Sequence, residues 1–173
     1  MSVLPTLITP RLILRAHTCD EYDLLHAIWS DPVVTEFLGR RPSTAQDSWF
    51  RLMRYLGHWS LMGYGYFAVC DKITGAYIGD VGIAQHRRGL HVEFDDVPEA
   101  GWVLCSAAFG KGYATEAMAA VLTWFENTHG QQRTVCMIEK PHLASHKVAA
   151  KLGYTIFTQV VTGNDVINLL QRP

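Results

Sequence analysis

Two glycines separated by a single lysine stand immediately before a helix-forming run, in the stretch AAFGKGYATEA at residues 107–117. Glycine tolerates backbone conformations that other residues avoid, and it lets a ligand approach the main chain closely. The first amides of the following helix have no partner within that helix, and together with the helix dipole they favour an anion. Lys111 adds a positive charge beside them. The stretch is therefore compatible with an ordinary turn and with a turn that holds a phosphate group.

The two familiar phosphate-binding motifs do not match this stretch. In the P-loop, a serine or threonine follows the Gly-Lys pair, and a further glycine stands five residues earlier. Here Gly112 follows Lys111, and Cys105 occupies the position of the further glycine. The dinucleotide fingerprint needs glycine or alanine where Thr115 stands, and an acidic residue near Gln131. Neither motif explains the turn, so the rest of the chain has to be considered.

Length and composition are those of an ordinary folded domain. The chain has 173 residues, of which 49% are hydrophobic and 18% charged, and one domain over residues 1–173 is expected. Its net charge of −1 gives no indication of a broad basic field for nucleic acid, although it is compatible with a local basic patch. No apolar stretch is long enough to span a membrane, and the first residues lack the basic region of a signal peptide, so neither is predicted.

The thiols and imidazoles do not predict a metal site. Four cysteines lie far apart in the chain: Cys19, Cys70, Cys105 and Cys136. We expect them to be reduced and buried, as in a cytoplasmic protein. His142 and His146 have a spacing that can bind a metal on a helix, but no third ligand is evident and the glutamate of H-E-x-x-H is absent. No metal is therefore expected.

The order of the predicted elements indicates a mixed α/β fold with helices on both faces of a sheet. Capping boxes at Thr18–Glu21 and Ser43–Gln46 predict helices that run to Trp29 and to about Met62. The glycine turn begins a helix to His129, whose apolar residues fall on one face. Predicted strands cover 11–17, 64–71, 76–86 and 133–139, and residues 91–104 are expected to be extended with an interruption at Asp95-Asp96-Val97-Pro98. Two more extended segments at the end of the chain are split at Gly163-Asn164.

Three segments together resemble a known family. PEAGWVLCSAAFGKGYATEAMAAVLTWF (98–125) is similar to the acetyl-CoA-binding segment of the GNAT superfamily of N-acetyltransferases. TPRLILR (9–15) and HLASHKVAAKLGY (142–154) resemble the RimJ/RimL-type enzymes that acetylate the N-termini of ribosomal proteins. The resemblance covers nearly the whole chain. It implies a GNAT fold, which is a mostly antiparallel, twisted sheet of six to seven strands that is splayed in the middle and flanked by helices.

The resemblance also implies where coenzyme A binds. Pantetheine would pair with the splayed strand at Trp102, Val103 and Leu104, in the manner of an added strand. The pyrophosphate would lie on five amides of the glycine turn, those of Gly110, Lys111, Gly112, Tyr113 and Ala114. His142 and Ser145, at the start of the later helix, would also contact the cofactor.

Three positions depart from the family pattern. Ala107 stands where the family often carries glutamine or arginine, and His142 replaces the usual asparagine. Ala149 occupies the position of the tyrosine that protonates the leaving thiolate in many relatives. The last departure leaves the general acid unassigned.

Acetyl transfer to an amine needs a base for the ammonium proton and is helped by a proton donor for the thiolate. Glu99, two residues before Gly101, is the candidate base, directly or through water; an exposed carboxylate without a catalytic role is the alternative. Glu93 and Asp80 are weaker candidates. Ser145 is the candidate partner of the coenzyme A sulfur, and its alternative role is that of a helix cap.

The expected reaction is direct transfer of the acetyl group in a ternary complex. Cys105 and Cys136 are the nearby thiols, and neither has an activating base next to it in sequence. The acceptor implied is a protein N-terminal amine; the alternatives are a small amine, such as an aminoglycoside or polyamine, and a non-catalytic acyl-CoA sensor. The protein is expected to act as a monomer or homodimer.

The acceptor groove is predicted between the early helices and the central strands. Four aromatic residues can line it or pack in the core: Trp49, Trp59, Tyr64 and Tyr66. Arg40 and Arg41 can flank its entrance or lie in a solvated loop.

Overall fold

The computed structural model describes residues 4–173. The strands are β1 (Leu7–Ile8), β2 (Leu12–Arg15), β3 (Tyr66–Asp71), β4 (Tyr77–Ala84), β5 (Glu99–Leu104), β6 (Thr134–Glu139), β7 (Thr155–Thr162) and β8 (Asp165–Arg172). The α-helices are α1 (Tyr22–Trp29), α2 (Pro32–Thr35), α3 (Ala45–Met62), α4 (Tyr113–His129) and α5 (Leu143–Lys151). Short 3₁₀ turns at Cys19–Glu21 and Ser106–Ala108 precede α1 and the glycine turn.

All eight strands form one sheet in the order β1-β2-β3-β4-β5-β6-β8-β7, and every pair except β5–β6 is antiparallel. The predicted GNAT architecture is confirmed, with β2 to β8 as its seven longer strands. The additional strand, β1, has two residues. It stays short because Pro5 and Pro10 flank it, and proline cannot donate to a strand ladder.

The sheet opens between its two parallel strands. Within residues 4–173, β5 and β6 are paired at Glu99 and Val135, and the Val135 amide donates to the Pro98 carbonyl at 3.0 Å. On its other side β5 stays fully paired with β4, from Ala84–Glu99 to Gly79–Leu104. The edge of Gly101–Leu104 that faces β6 is therefore free to pair with a ligand.

Helices cover both faces of the sheet. Helix α4 packs Met118, Val121 and Phe125 into the larger core on one face. On the other face, α1 and α3 contribute Leu25, Leu52 and other residues to a second core. Burial of apolar surface contributes about 25 cal/mol per Å², so each large side chain of this kind stabilises the fold by about 1.5–3 kcal/mol.

Two local predictions were wrong. Helix α3 is capped by Thr44, whose hydroxyl accepts from the Asp47 amide at 3.1 Å, so its capping box lies one residue after the predicted Ser43–Gln46. The interruption predicted at 95–98 is present, but residues 91–94 are not extended as expected. They turn, because the buried Phe94 packs against Val135 and Leu169.

The cysteines were predicted only partly correctly. Cys70 and Cys136 are buried, Cys105 is half-buried and Cys19 is exposed, and all four are free thiols. Cys19 is exposed because it lies in the 3₁₀ turn at the start of α1 rather than on a core-facing element. Within residues 4–173, no helix combines the length and the apolarity that crossing a membrane requires.

Candidate active site and family

The glycine turn is exposed and adopts the backbone that its sequence predicts. Gly110 and Gly112 have φ angles of 73° and 78°, the left-handed region that favours glycine. A side chain at Gly110 would meet no atom within 4 Å, so the space above the turn is open. No side chain caps the start of α4 at Gly112. The amides at the start of α4 are thus available to an anion, which is compatible with the predicted pyrophosphate site.

Arg11, immediately before β2, contacts the glycine turn and holds it in place. Its Nη1 donates to the Lys111 carbonyl at 2.9 Å, and its guanidinium lies 4.5 Å from the centre of the Tyr113 ring. Its Nε pairs with Glu116 at 2.6 Å, and Glu116 also accepts from the Thr9 hydroxyl at 2.6 Å. The first turn of α4 is thereby held to TPRLILR. Sequence reasoning noted both segments but missed this link between them.

Burial opposes ionisation of Glu116, but the hydrogen bonds from Thr9 and Arg11 outweigh it and lower the pKa of this carboxyl. Glu116 is therefore ionised in the folded protein near neutral pH. In the first turn of α4, this carboxylate also interacts favourably with the helix dipole, in addition to its pair with Arg11.

The splayed strand meets α5 through Trp102 and Ser145. Trp102 is half-buried, whereas Val103 and Leu104 are buried. The indole Nε1 of Trp102 donates to the Ser145 hydroxyl at 3.3 Å. Helix α5 has no side-chain cap at His142, and Ser145 is its third residue. The structure thus brings these two predicted cofactor residues together across the opening of the sheet.

Glu99 lies at the point where the sheet opens. It is 5% exposed, and Arg88 holds it in a two-point pair, with Nε donating to Oε2 at 2.7 Å and Nη2 to Oε1 at 2.8 Å. Burial raises the pKa of the Glu99 carboxyl, and the Arg88 guanidinium opposes that rise. Glu99 is therefore not the exposed carboxylate of the alternative reading. Arg88 was missed, because it stands in a turn whose position relative to β5 the sequence does not fix.

The Tyr66 side chain passes Gly82 and reaches Gly101, which follows Glu99 by two residues on β5. Tyr66 on β3, Gly82 on β4 and Gly101 on β5 lie in one row of the sheet. A side chain at Gly101 would collide with the Tyr66 hydroxyl, and one at Gly82 would collide with the backbone of β3. Burial raises the pKa of the Tyr66 phenol well above its ordinary value, so the hydroxyl keeps its proton.

His142 faces the loop that follows α2. Its ring stacks on Phe37 at 4.6 Å between centroids and 14° between planes. Burial and the neighbouring His146 lower the pKa of the His142 imidazole. His146 bonds to Asn168 at 3.2 Å. In the part of the chain that the structure describes, no group of three metal-binding side chains occurs, and His142 and His146 have separate partners.

The weaker candidates for the base are placed differently. Asp80 is fully buried and accepts from Trp29 Nε1 at 2.8 Å, from Tyr77, and pairs with His17 at 2.7 Å. Through Trp29, this carboxylate links α1 to β4. Glu93 is exposed in the turn before β5. Neither touches the opening beside Glu99.

The aromatic residues are divided between the core and the groove. Trp59 and Tyr64 belong to the core beneath α4, whereas Tyr66 belongs to the other core, near the opening of the sheet. Trp49 is 43% exposed on α3, with its ring against Tyr22. Of the four, Tyr66 is the one that approaches the candidate active site.

Comparison with known proteins identifies the family. The family model described as "Acetyltransferase (GNAT) domain" matches residues 11–155. A structure described as a GnaT-family acetyltransferase from Bordetella pertussis is 31% identical, with a TM-score of 0.88, and the match covers 98% of this chain and 99% of that one. An acetyltransferase from Agrobacterium tumefaciens is 25% identical, with a TM-score of 0.82 and coverage of 100% and 96%. The uncharacterized N-acetyltransferase p20 of Bacillus licheniformis is 27% identical over 86% of this chain and 82% of its own.

Two less similar structures share the fold. RimL, a ribosomal L7/L12 α-N-protein acetyltransferase in complex with coenzyme A, is 14% identical, with a TM-score of 0.77 and coverage of 97% of each chain. The aminoglycoside acetyltransferase AAC(6')-Ib in complex with coenzyme A is 17% identical, with a TM-score of 0.74 and coverage of 93% and 94%. Together with the splayed sheet and the exposed glycine turn, the family match leads to one conclusion. The chain belongs to the GNAT family of acetyltransferases, enzymes that take their acetyl group from acetyl-CoA.

Proposed function

We propose that this enzyme transfers the acetyl group of acetyl-CoA to a protein N-terminal α-amine, by direct attack of the amine in a ternary complex. The observation that carries the proposal is the path of β5. The strand leaves β6 after Glu99 and leads to the exposed glycine turn at the start of α4. One continuous segment thus offers free strand edges and then free helix amides, which suit pantetheine and pyrophosphate in turn.

The cofactor is proposed to bind along the whole of that segment. Pantetheine pairs with the free edge of Trp102, Val103 and Leu104, and the pyrophosphate lies on the amides of residues 110–114. Lys111 contributes charge, and Arg11 holds its carbonyl away from the anion. His142 and Ser145 close the other side of the channel from α5.

Glu99 is proposed to receive the proton that the acceptor ammonium loses, directly or through a water. Each of its oxygens accepts one hydrogen bond from Arg88 and keeps a second lone pair for this purpose. Burial raises the pKa of Glu99, which makes the carboxylate a stronger base, and the Arg88 guanidinium opposes that rise. Tyr66, which remains protonated, offers a hydrogen-bond donor beside Gly101.

Ser145 is proposed to donate a hydrogen bond to the leaving sulfur. An indole N–H can only donate, so Ser145 accepts from Trp102 and its own proton is free to point elsewhere. A thiolate is a suitable acceptor for that proton. Trp102 is then a positioning residue, which fixes the orientation of the serine hydroxyl.

Direct transfer is supported by the state of the thiols. Burial raises the pKa of the Cys136 thiol far above its ordinary value, so almost no thiolate forms. Cys105 is half-buried, and among residues 4–173 no imidazole or lysine hydrogen-bonds to it. Attack by the acceptor amine on the thioester therefore needs no acyl-cysteine intermediate.

The acceptor is inferred from the segments TPRLILR and HLASHKVAAKLGY, which resemble those of enzymes that act on ribosomal-protein N-termini. RimL, which shares the fold, is such an enzyme. AAC(6')-Ib shares it equally and acts on aminoglycosides, so the fold alone does not select the acceptor. Free cysteines are consistent with action in a reducing cytoplasm.

The test is a screen of amines with acetyl-CoA, with free thiol as the readout and mass spectrometry of the acceptor. Peptides with a free N-terminus are compared with the same peptides blocked at the N-terminus, with an aminoglycoside and with a polyamine. We expect thiol release and one added acetyl group with the free peptides only. Turnover confined to the small amines would contradict the proposed acceptor, and coenzyme A binding without any turnover would indicate a sensor.

A further inference from the structure

A cavity of about 460 Å³ lies between α3 and the segment that joins α2 to α3. Its size is that of a site for a small ligand or for one or two side chains. Trp29, Leu38 and Phe50 form its apolar wall. Trp29 also belongs to the core that contains Tyr66 and Val103, so the cavity opens on the face of the sheet where Glu99 lies.

Three arginines line this cavity, and two of them lack a counter-charge. Arg41 pairs with Asp47 at 3.1 Å, and Asp47 is engaged further as part of the cap of α3. Over residues 4–173, neither Arg51 nor Arg54 has a carboxylate within 4.0 Å. The Arg51 guanidinium lies 3.3 Å from the centre of the Trp29 ring, and its buried Nε has no hydrogen-bond partner. A buried donor without a partner is costly, and a ligand that accepts from it removes that cost.

Both guanidinium groups lie against the core that contains Tyr66. The Arg54 guanidinium lies 6.0 Å from the centre of the Tyr55 ring, and Tyr55 stacks on Tyr66 at 4.7 Å between centroids. Arg51 lies over Trp29, which belongs to the same core. Burial first, and then the charges of Arg88, Arg54 and other neighbours, lower the pKa of His86 to about 3. The charges of Arg51 and Arg54 also act on the pKa of Tyr66, and that of Arg54 acts on the pKa of Glu99. An anion at these arginines would thus lie near the place where the acceptor amine loses its proton.

We propose that Arg51 and Arg54 bind a carboxylate of the acceptor, while Leu38 and Phe50 contact its carbon chain. The inference rests on the proposed function and narrows its substrate class to amines that carry a carboxylate close by. Guanidinium groups bind carboxylates through paired hydrogen bonds, which makes arginine selective for such a group. The carboxylate has two possible sources, an acidic side chain next to the N-terminus of a peptide and the free carboxylate of an amino acid.

The experiment measures kcat/KM for matched acceptors that differ only in whether their carboxylates are free or amidated. One pair is a short C-terminally amidated peptide with glutamate at its second position and the same peptide with glutamine there. The other pair is free glutamate and its diamide. We expect the charged member of one pair to be preferred by at least about tenfold, the size expected of a charge-assisted hydrogen bond. The preferred pair identifies the source of the carboxylate.

Two variants test the residues themselves. R54Q and R51Q are each expected to reduce the preference for the charged acceptor by about tenfold, with unchanged affinity for coenzyme A. R87Q is the control, because Arg87 is an exposed arginine paired with Asp96 outside the cavity, and we expect it to leave the preference intact. Equal rates for the charged and neutral members of both pairs in the native enzyme would overturn the inference, while turnover of the peptides would still support the proposed function.

A binding measurement covers the case of an enzyme that turns over neither pair. The N-acetylated forms of the glutamate and glutamine peptides, and of glutamate and its diamide, are titrated into the complex with coenzyme A by calorimetry. We expect tighter binding of a charged member and loss of that difference in R54Q. Equal binding within both pairs would overturn the inference independently of catalysis.

Discussion

The indole Nε1 of Trp102 donates a hydrogen bond to the Ser145 hydroxyl at 3.3 Å, across the gap where β5 and β6 part. This contact joins the strand proposed to bind pantetheine to the helix proposed to face the sulfur. Because the indole can only donate, Ser145 accepts in this contact and keeps its own proton for another partner.

Removal of the serine hydroxyl should therefore affect the reaction more than the fold. We expect Ser145→Ala to lower kcat by about tenfold, as for one lost hydrogen bond to a charged group, with little change in the melting temperature. Trp102→Phe should lower kcat less, since Ser145 can still turn toward the sulfur. A Ser145→Ala variant with native kcat and a lower melting temperature would instead assign Ser145 a purely structural role.

The pair of Glu99 and Arg88 predicts the pH dependence of the enzyme. Burial raises the pKa of Glu99, and Arg88 lowers it, so the acidic limb of the kcat/KM profile should lie above the ordinary range of a glutamate. Arg88→Gln removes the opposing charge. We expect the limb to move to higher pH in this variant, because the carboxyl then ionises less readily.

Glu99→Gln keeps the shape of the side chain and removes the proton acceptor. A positioned base contributes about a hundredfold to ten-thousandfold, so kcat should fall by that range and the acidic limb should vanish, with coenzyme A affinity unchanged. Native kinetics in Glu99→Gln would reject Glu99 as the base. A limb that stays in place in Arg88→Gln would show that another group controls it.

The contact of Tyr66 with Gly101 makes a prediction about packing. Gly101→Ala places a methyl group against the Tyr66 hydroxyl and should destabilise the fold by about 1–3 kcal/mol, as overpacking does. Tyr66→Phe removes the hydroxyl, and the double variant should recover part of the loss. Denaturant unfolding of the native protein, both single variants and the double variant measures this coupling. Strictly additive effects would contradict the contact.

The ion pair that holds the first turn of α4 predicts a loss of stability in Glu116→Gln. A hydrogen bond to a charged group is worth about 1.5–3 kcal/mol, and the exposure of Arg11 should reduce the measured cost to about 1 kcal/mol. The pKa of Glu116 is lowered in the folded state, so this stability is present above its ordinary value of 4.5 and is lost as the pH falls through the lowered pKa. Unfolding of both proteins as a function of pH should show their difference shrinking in acid, and a constant difference would contradict the account.

Much of the fold follows from local sequence patterns. The capping box of Thr18 and Glu21, the glycine turn before α4 and the split at Gly163-Asn164 all place element ends correctly. The capping box of α3 was misplaced by one residue, because Ser43–Gln46 and Thr44–Asp47 are both acceptable pairs and the helix uses the second. The turn that begins at 91 was predicted only from 95, because its first part depends on contacts of Phe94 with distant strands.

The candidate site was predictable where it depends on contiguous residues, as in the turn at 107–117. Its long-range partners were not. Arg11 reaches Glu116 across more than a hundred residues of sequence, and Tyr66 reaches Gly101 only because three strands align. No local pattern encodes such registers, since each depends on how the strands pair in the sheet.

The central claim is that the glycine turn at the start of α4 binds the pyrophosphate of coenzyme A. The most direct test is calorimetric titration of coenzyme A into Gly112→Asp, with Gly63→Asp as the control. Both glycines have left-handed backbone angles, φ 78° and ψ 6° at Gly112 and φ 73° and ψ 6° at Gly63, which ends α3 near His129 at the far end of α4. Both variants therefore impose similar backbone strain and the same charge.

Only the aspartate at position 112 would face the pyrophosphate, where a close like charge costs more than a lost hydrogen bond. We predict that Gly112→Asp loses at least about a hundredfold in coenzyme A affinity, while Gly63→Asp binds as the native protein does. Native affinity in a folded Gly112→Asp variant would contradict the claim.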